Sequence, residues 1–261
     1  IIDEAKFLAD NGVKEITLLG QNVNAYNYKN KKLSSLIKEI EKISSIKRIR
    51  YTTSHPRDMS DDLLEVYKYS RKLMPLIHLP VQSGSNKILK LMNRKHTVDY
   101  FLEIFYRLKN INPNIEFSSD FIIGYPGEEK KDFDNTLNLI KEVKFINSFS
   151  FIFNPRPGTV AANLDLIDEK ISKDRLEKIQ CQLYENQISM NKSLENKTIS
   201  VLAENLTEDK TKIFGRSEYM TSVIFDGAEK DIGKIVSVKV LKSNRSTLLG
   251  ELEINQNQKV A

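Results

Sequence analysis

The residues of this 261-residue chain best suited to ligand chemistry fall in five clusters, each directly behind a short apolar run. The clusters are Gly20-Gln21-Asn22-Val23-Asn24, Ser54-His55-Pro56-Arg57, Gln82-Ser83-Gly84-Ser85, Gly124-Tyr125-Pro126-Gly127-Glu128 and Asn154-Pro155-Arg156-Pro157-Gly158-Thr159. In the first, Gly20 lets backbone approach a ligand, and the carboxamides of Gln21 and Asn22 both donate and accept, which suits the amino and carboxylate groups of an amino-acid-like cofactor. The same residues also describe a polar turn closed by an Asn cap. In the third, helix capping explains Ser85 but leaves Gln82 and Ser83 free for a ribose or a carboxylate. The run before Gly124 is apolar except for Asp120, and a carboxylate inside a buried strand needs a partner or a ligand. The Gly-Tyr-Pro-Gly turn behind it lets backbone lie flat against a planar group such as adenine. Arg156 sits on a proline-braced loop, placed for a phosphate, a carboxylate or a structural ion pair.

Two basic groups, Arg48, Arg50 and Arg57, then Lys87, Lys90, Arg94, Lys95 and His96, can track a phosphate backbone, although the second also fits a solvated helix face. The histidines and Asp120 raise a hydrolytic metal site, but no carboxylate accompanies His55 and His78 at metal-ligand spacing, so none is assigned. The single cysteine, Cys181, excludes an intrachain disulfide, cannot alone hold an iron-sulfur cluster and fits a reducing, cytoplasmic setting. Its neighbours Leu176, Ile179 and Leu183 predict a buried, inert thiol.

The elements that must position these clusters follow from periodicity. Strands are expected at 16–19, 49–52, 77–81, 117–123 and 149–153, separated by helices with apolar spacing of three and four, such as Leu33, Leu36, Ile37, Ile40 and Ile43. Ser60 and Thr97 are expected N-caps, and a long helix is expected over 168–191. The βαβαβαβαβ order requires right-handed crossovers and a parallel sheet. All five clusters then lie at strand carboxyl ends, where parallel α/β architectures bind ligands.

After residue 192 the pattern changes to short runs rich in Val, Ile, Thr and Leu, at 198–204, 212–215, 221–225, 235–241 and 247–254, with turn residues between them. These predict a small antiparallel barrel of the oligonucleotide-binding type. The expected organisation is an α/β domain over 1–191, a β-barrel over 192–255 and a frayed polar tail over 256–261. The net charge of +5 permits a polyanionic partner without establishing one. No apolar run approaches the roughly 20 residues needed to cross a bilayer.

Together the motifs resemble the radical S-adenosylmethionine (SAM) methylthiotransferases, most closely the branch that makes 2-methylthio-N6-dimethylallyladenosine in tRNA. The resemblance is carried by residues 18–26 (LLGQNVNAY), 50–56 (RYTTSHP), 78–85 (HLPVQSGS), 92–97 (MNRKHT), 118–128 (SSDFIIGYPGE) and 155–159 (PRPGT). Residues 215–220 (GRSEYM) resemble the family's RNA-binding TRAM domain. It implies a partial TIM-like (β/α) barrel with its first unit missing, followed by a small OB-like TRAM barrel. It implies that Gly20, Gln21, Asn22, Gln82, Ser83, Asp120, Ile122 and Gly124 contact SAM, with Ile122 to Gly124 on the adenine side. It implies that Arg57, Arg94, Lys95, Arg156, Arg216 and Tyr219 contact a tRNA anticodon stem-loop, with the protein monomeric and cytoplasmic. The sulfur donor is not identified. The family carries 4Fe-4S clusters on cysteines absent from this sequence, so the chain is expected to begin just after the cluster loop and to be inactive alone. A non-catalytic RNA-binding remnant, and a sister methylthiotransferase acting on another adenosine or a ribosomal protein, remain as alternatives.

Overall fold

The computed structural model describes residues 1–253, so the tail expected over 256–261 lies outside the described residues. The chain runs α1 (Ile2–Asp10), β1 (Glu15–Leu18), α2 (Leu33–Glu41), β2 (Arg48–Tyr51), α3 (Asp61–Tyr69), β3 (Leu76–His78), α4 (Asn86–Leu91), α5 (Val98–Ile111), β4 (Glu116–Ser118), β5 (Asp120–Ile123), α6 (Lys130–Val143), β6 (Phe149–Ile152) and α7 (Glu169–Ser193). Five further strands follow: β7 (Thr198–Leu206), β8 (Ile213–Ser217), β9 (Ser222–Asp226), β10 (Ile235–Ser243) and β11 (Thr247–Leu252).

In the first unit β1–β2, β3–β4 and β5–β6 pair in parallel, and parallel bridges Ile49–Leu73 and Gln82–Phe121 link the pairs into one curved half-barrel. The alternation explains the packing. Ile16, Ile49, Ile77, Phe117, Phe121 and Ile123 point outward under the helices and are buried, while Thr17, Arg50, His78, Asp120 and Ile122 face the concave side. Leu33, Leu36, Ile37 and Ile40 form the stripe that fixes α2 on this sheet. Thr97 caps α5 by accepting from the Tyr100 amide at 3.2 Å, whereas Ser60 holds the N-cap position of α3 without a side-chain capping bond.

The strand expected over 117–123 is broken at Ser119, because its hydroxyl takes the Val81 amide at 2.9 Å and its own amide goes to Ser148 Oγ at 2.9 Å. Side chains thus replace a ladder position. Cys181 is exposed, not buried. Its stripe neighbours Ile179 and Leu183 are the residues of α7 that enter the core.

The second unit is a closed barrel in the order β8-β9-β11-β10-β7 around its own core of Val201, Ala203, Ile213, Val223, Phe225, Val238, Val240 and Leu248. The expectation of purely antiparallel pairing is corrected: β9 and β11 run parallel. A ring of five strands cannot alternate direction all the way round, so closure demands at least one parallel pair. Gly215 marks a bulge in β8 where a side chain would collide with the Leu202 carbonyl of β7.

The two units are joined by buried arginines, which overturns the expectation that Arg48 and Arg50 track phosphates. Arg48 donates to the carbonyls of Arg216 (3.0 Å) and Ser200 (2.9 Å) and to Ser200 Oγ (2.9 Å). Arg50 donates to the carbonyls of Glu218 (2.8 Å) and Ser217 (3.1 Å). Glu15 lies between them, 2.9 Å from Arg50 Nε and 3.6 Å from Arg48 Nη1. Sequence pattern marks both as charged residues, but toward the amino end of a strand that meets a second unit they become docking donors to backbone carbonyls.

Candidate functional site

The carboxyl ends of the parallel strands form one rim. At β1, Gly20 and Gln21 are exposed, and Asn22 donates to Asp58 Oδ2 at 2.7 Å while its own Oδ1 is buried with no partner among the described residues. The loop behind β2 is tied to it reciprocally. Asn24 Nδ2 donates to the His55 carbonyl at 2.8 Å, the His55 amide donates to Asn24 Oδ1 at 2.9 Å, and the Val23 amide donates to the Thr53 carbonyl at 3.0 Å. Burial works against the charge on Asp58, yet hydrogen bonds from Arg57 and Asn22 hold its carboxyl below the usual carboxylate range. Ser54 Oγ is a second buried atom without a partner on this rim. Unsatisfied buried polar atoms are rare, and here two lie at neighbouring strand ends, where a polar ligand can satisfy them.

Further along the rim Gln82 is buried with φ +74°, and its backbone bridges to β5: its amide donates to the Asp120 carbonyl and its carbonyl accepts from Ile122, both at 3.0 Å. A left-handed glutamine is strained, and only a loop held on both sides keeps it there. Ser83 faces α6, where its hydroxyl lies 3.4 Å from Thr136 Oγ1 and accepts from the Ser85 amide at 3.2 Å. Gly124, at φ +72°, gives its amide to Glu128 Oε2 at 3.2 Å, and a side chain at this position would run into Ser172 of α7. Burial pushes the Glu128 carboxyl up, while Arg175 at 2.7 Å holds it in an ion pair. That pair braces the turn that presents the Ile122 to Gly124 backbone.

Asp120, at the start of β5 and four residues before Gly124, lies 3.6 Å from His78 Nε2 on the concave side, and His78 Nδ1 is held by Ser118 Oγ at 2.6 Å. Arg94 stands near Asp120, and burial pulls its guanidinium below the ordinary value. His96, only 8% exposed, packs edge-on against His55 at 5.2 Å. Burial, with the neighbouring His55 and Arg94 adding to it, lowers its pKa to about 4. His96 is therefore neutral at pH 7.

The six residues expected to meet RNA divide. Arg57, paired with Asp58 at 3.0 Å, lies with Arg94, Lys95 and Arg156 on the rim side, and Lys95 and Arg156 are exposed. Arg216 and Tyr219 lie at the other end of the strands: Arg216 is 3.5 Å from Glu204, and Tyr219 donates from its hydroxyl to the Asn114 carbonyl at 3.0 Å and accepts from Asn147 at 2.7 Å. Asn114 and Asn147 lie two residues before the starts of β4 and β6. Neither the Glu15, Arg48 and Arg50 junction nor the approach of His78 to Asp120 is marked by a motif; period-two alternation through 77–78 is the one signal that bears on the second.

The described residues do not fit an iron-sulfur cluster: they hold one thiol, exposed on α7, and no group of three His, Cys, Asp or Glu able to hold a metal ion. The rim does fit SAM in kind, through the unpartnered Asn22 Oδ1, the side-chain-free surface at Gly20 and the backbone of Ile122 to Gly124. No helix among the described residues is long and apolar enough to cross a membrane.

Comparison with known proteins follows the same division. The model of the Radical SAM superfamily matches residues 1–140, and that of the TRAM domain matches residues 192–252. The chain is 61% identical over 265 residues to a Pelagibacter ubique (strain HTCC1062) protein named tRNA-2-methylthio-N(6)-dimethylallyladenosine synthase, covering 100% of this chain and 59% of that protein. Proteins of the same name from Wolbachia pipientis subsp. Culex pipiens (strain wPip) and Rickettsia akari (strain Hartford) are 48% and 45% identical, covering 96% and 95% of this chain and 58% of each relative. The chain thus spans under two thirds of the length of these relatives. Among solved structures, Escherichia coli coproporphyrinogen III oxidase, described as a Radical SAM enzyme, superposes with a TM-score of 0.54 at 14% identity, over 93% of this chain and 58% of that one, which supports the fold alone. With a half-barrel whose strand ends carry the ligand-competent residues and a family model matching more than half its length, the chain belongs to the radical SAM superfamily.

Proposed function

We propose that this chain forms the SAM-binding half-barrel and RNA-docking barrel of a tRNA methylthiotransferase, which places a methylthio group on C2 of N6-dimethylallyladenosine beside the anticodon. The observation that carries the reading is the rim itself, where unpartnered Asn22 Oδ1 and Ser54 Oγ adjoin Gly20, Gln82 and Gly124 at the carboxyl ends of parallel strands. Relatives at 45–61% identity that bear that name support it.

In this reading Gly20, Gln21 and Asn22 hold the amino and carboxylate end of SAM, Gln82 and Ser83 its ribose side, and the backbone of Ile122 to Gly124 its adenine. SAM supplies a radical-generating adenosyl group and the methyl group; the protein orients the cofactor and keeps water from it. Residues 1–191 act as the cofactor unit and residues 192–255 as the RNA-docking unit. Arg57, Arg94, Lys95 and Arg156 on the rim side draw in the phosphates of the anticodon stem-loop. The cluster ligands lie outside these residues, the working protein is a cytoplasmic monomer, and the chain alone is inactive. The test is mass spectrometry of tRNA nucleosides from a strain lacking the gene. Methylthio-dimethylallyladenosine should vanish while dimethylallyladenosine accumulates; an unchanged methylthio product overturns the reading.

A further inference from the structure

Two phenylalanines on β6 are exposed where a folded protein has most reason to bury them. Phe149 is 59% and Phe151 is 56% exposed, on a strand flanked by β5 and α7. The register settles which way they face. Phe149 pairs with Asp120 and Phe151 with Ile122, and residues in register on parallel strands project to the same side. Asp120 reaches His78 on the concave side, whereas Phe121 and Ile123 are buried on the helix side. The two Phe rings therefore stand inside the half-barrel, about 7 Å apart along the strand. They make an apolar strip beside the Asp120 carboxylate.

We infer that this strip receives the apolar five-carbon arm of the dimethylallyl-adenine base, with Phe149 and Phe151 as the residues that select prenylated over plain adenine. The inference rests on the tRNA reading above and names its specificity. Three observations favour this occupant. The strip lies inside the same concavity as the rim, so a base seated there faces the proposed cofactor. The small barrel is docked at the amino ends of the strands through Arg48, Arg50 and Tyr219, and does not cover the strip. The polar group beside the strip is an acceptor, and N6-substituted adenine carries a single N6–H donor next to its apolar arm. Asp120, expected from sequence on the cofactor side, is accordingly assigned to the base; His78, hydrogen-bonded to Ser118 at 2.6 Å, stands 3.6 Å from its carboxylate.

The test is fluorescence anisotropy at fixed salt, with the full chain and two anticodon stem-loop RNAs that differ only in dimethylallyl-adenine against adenine. The wild type should favour the prenylated RNA by at least tenfold, equivalent to about 1.4 kcal/mol. Phe149→Ala/Phe151→Ala should reduce the ratio below twofold and leave binding of the plain RNA unchanged. The double leucine variant, which keeps an apolar strip, should retain at least half the ratio. Equal binding of both RNAs by the wild type overturns the inference but not the tRNA reading, as does a ratio that survives the alanine pair or falls equally with leucine. Binding of neither RNA overturns both.

Discussion

Replacing Arg48 by Ala should undock the small barrel. The guanidinium is 2% exposed, donates to two backbone carbonyls and one hydroxyl of the second unit, and sits 3.6 Å from Glu15. Removing it strands the Ser200 and Arg216 carbonyls between the units and leaves Glu15 with Arg50 as its one close cation. Charge-assisted hydrogen bonds contribute about 1.5–3 kcal/mol each, but three on one group do not add. Breaking a buried pair from one side costs about 3–5 kcal/mol, and this range is expected for the loss of stability of the docked state. Lysine should not rescue it, since one ammonium cannot reach the separated acceptors that a planar fork reaches. Urea denaturation followed by circular dichroism should show the single wild-type transition splitting into two, because each unit retains its own core. Limited proteolysis should then cut between α7 and β7. A loss below about 1 kcal/mol with one transition preserved would refute the claim that these arginines hold the units together.

Acidification should weaken the fold through His96. Its folded pKa of about 4 lies below the unfolded value, so its contribution is fully present above pH 6.5 and is lost as pH falls toward 4. The expected loss is about 3 kcal/mol across that window and about 1.4 kcal/mol at pH 5.5. His96→Phe should flatten this part of the urea midpoint against pH, and a parallel pH dependence in the variant would contradict it. Gly84→Ala should cost about 1–3 kcal/mol, because the new methyl would lie 2.6 Å from the Asn135 carbonyl oxygen and Thr136 Cα of α6; an unchanged melting temperature would contradict that close approach.

Much of this architecture was legible in advance because it depends on local patterns. Apolar spacing located α2, α5 and α7, and apolar runs followed by polar clusters located the strand ends. The departures arise where distant segments meet. Ser119 breaks a continuous apolar-looking run because its hydroxyl is claimed by Val81, thirty-eight residues away. Arg48 and Arg50 read as surface cations because nothing in β2 announces that β7 and β8 carbonyls will lie over them. Phe149 and Phe151 read as ordinary strand residues, since only the register with Asp120 and Ile122 reveals the face they occupy. The single parallel pair of the small barrel follows from counting its strands, which sequence alone permitted once closure was assumed.

If the strand-end rim holds the chemistry, in-cell complementation must depend on its residues. A strain lacking the gene is supplied with the wild-type gene or with Asn22→Ala or Gln82→Ala, and the methylthio-dimethylallyladenosine of its tRNA is measured by mass spectrometry, with protein amount checked by blot. The wild type should restore the product, and each variant less than about a tenth of it at equal protein level, the effect of losing about 1.4 kcal/mol at the reacting site. Full product from both variants would contradict it.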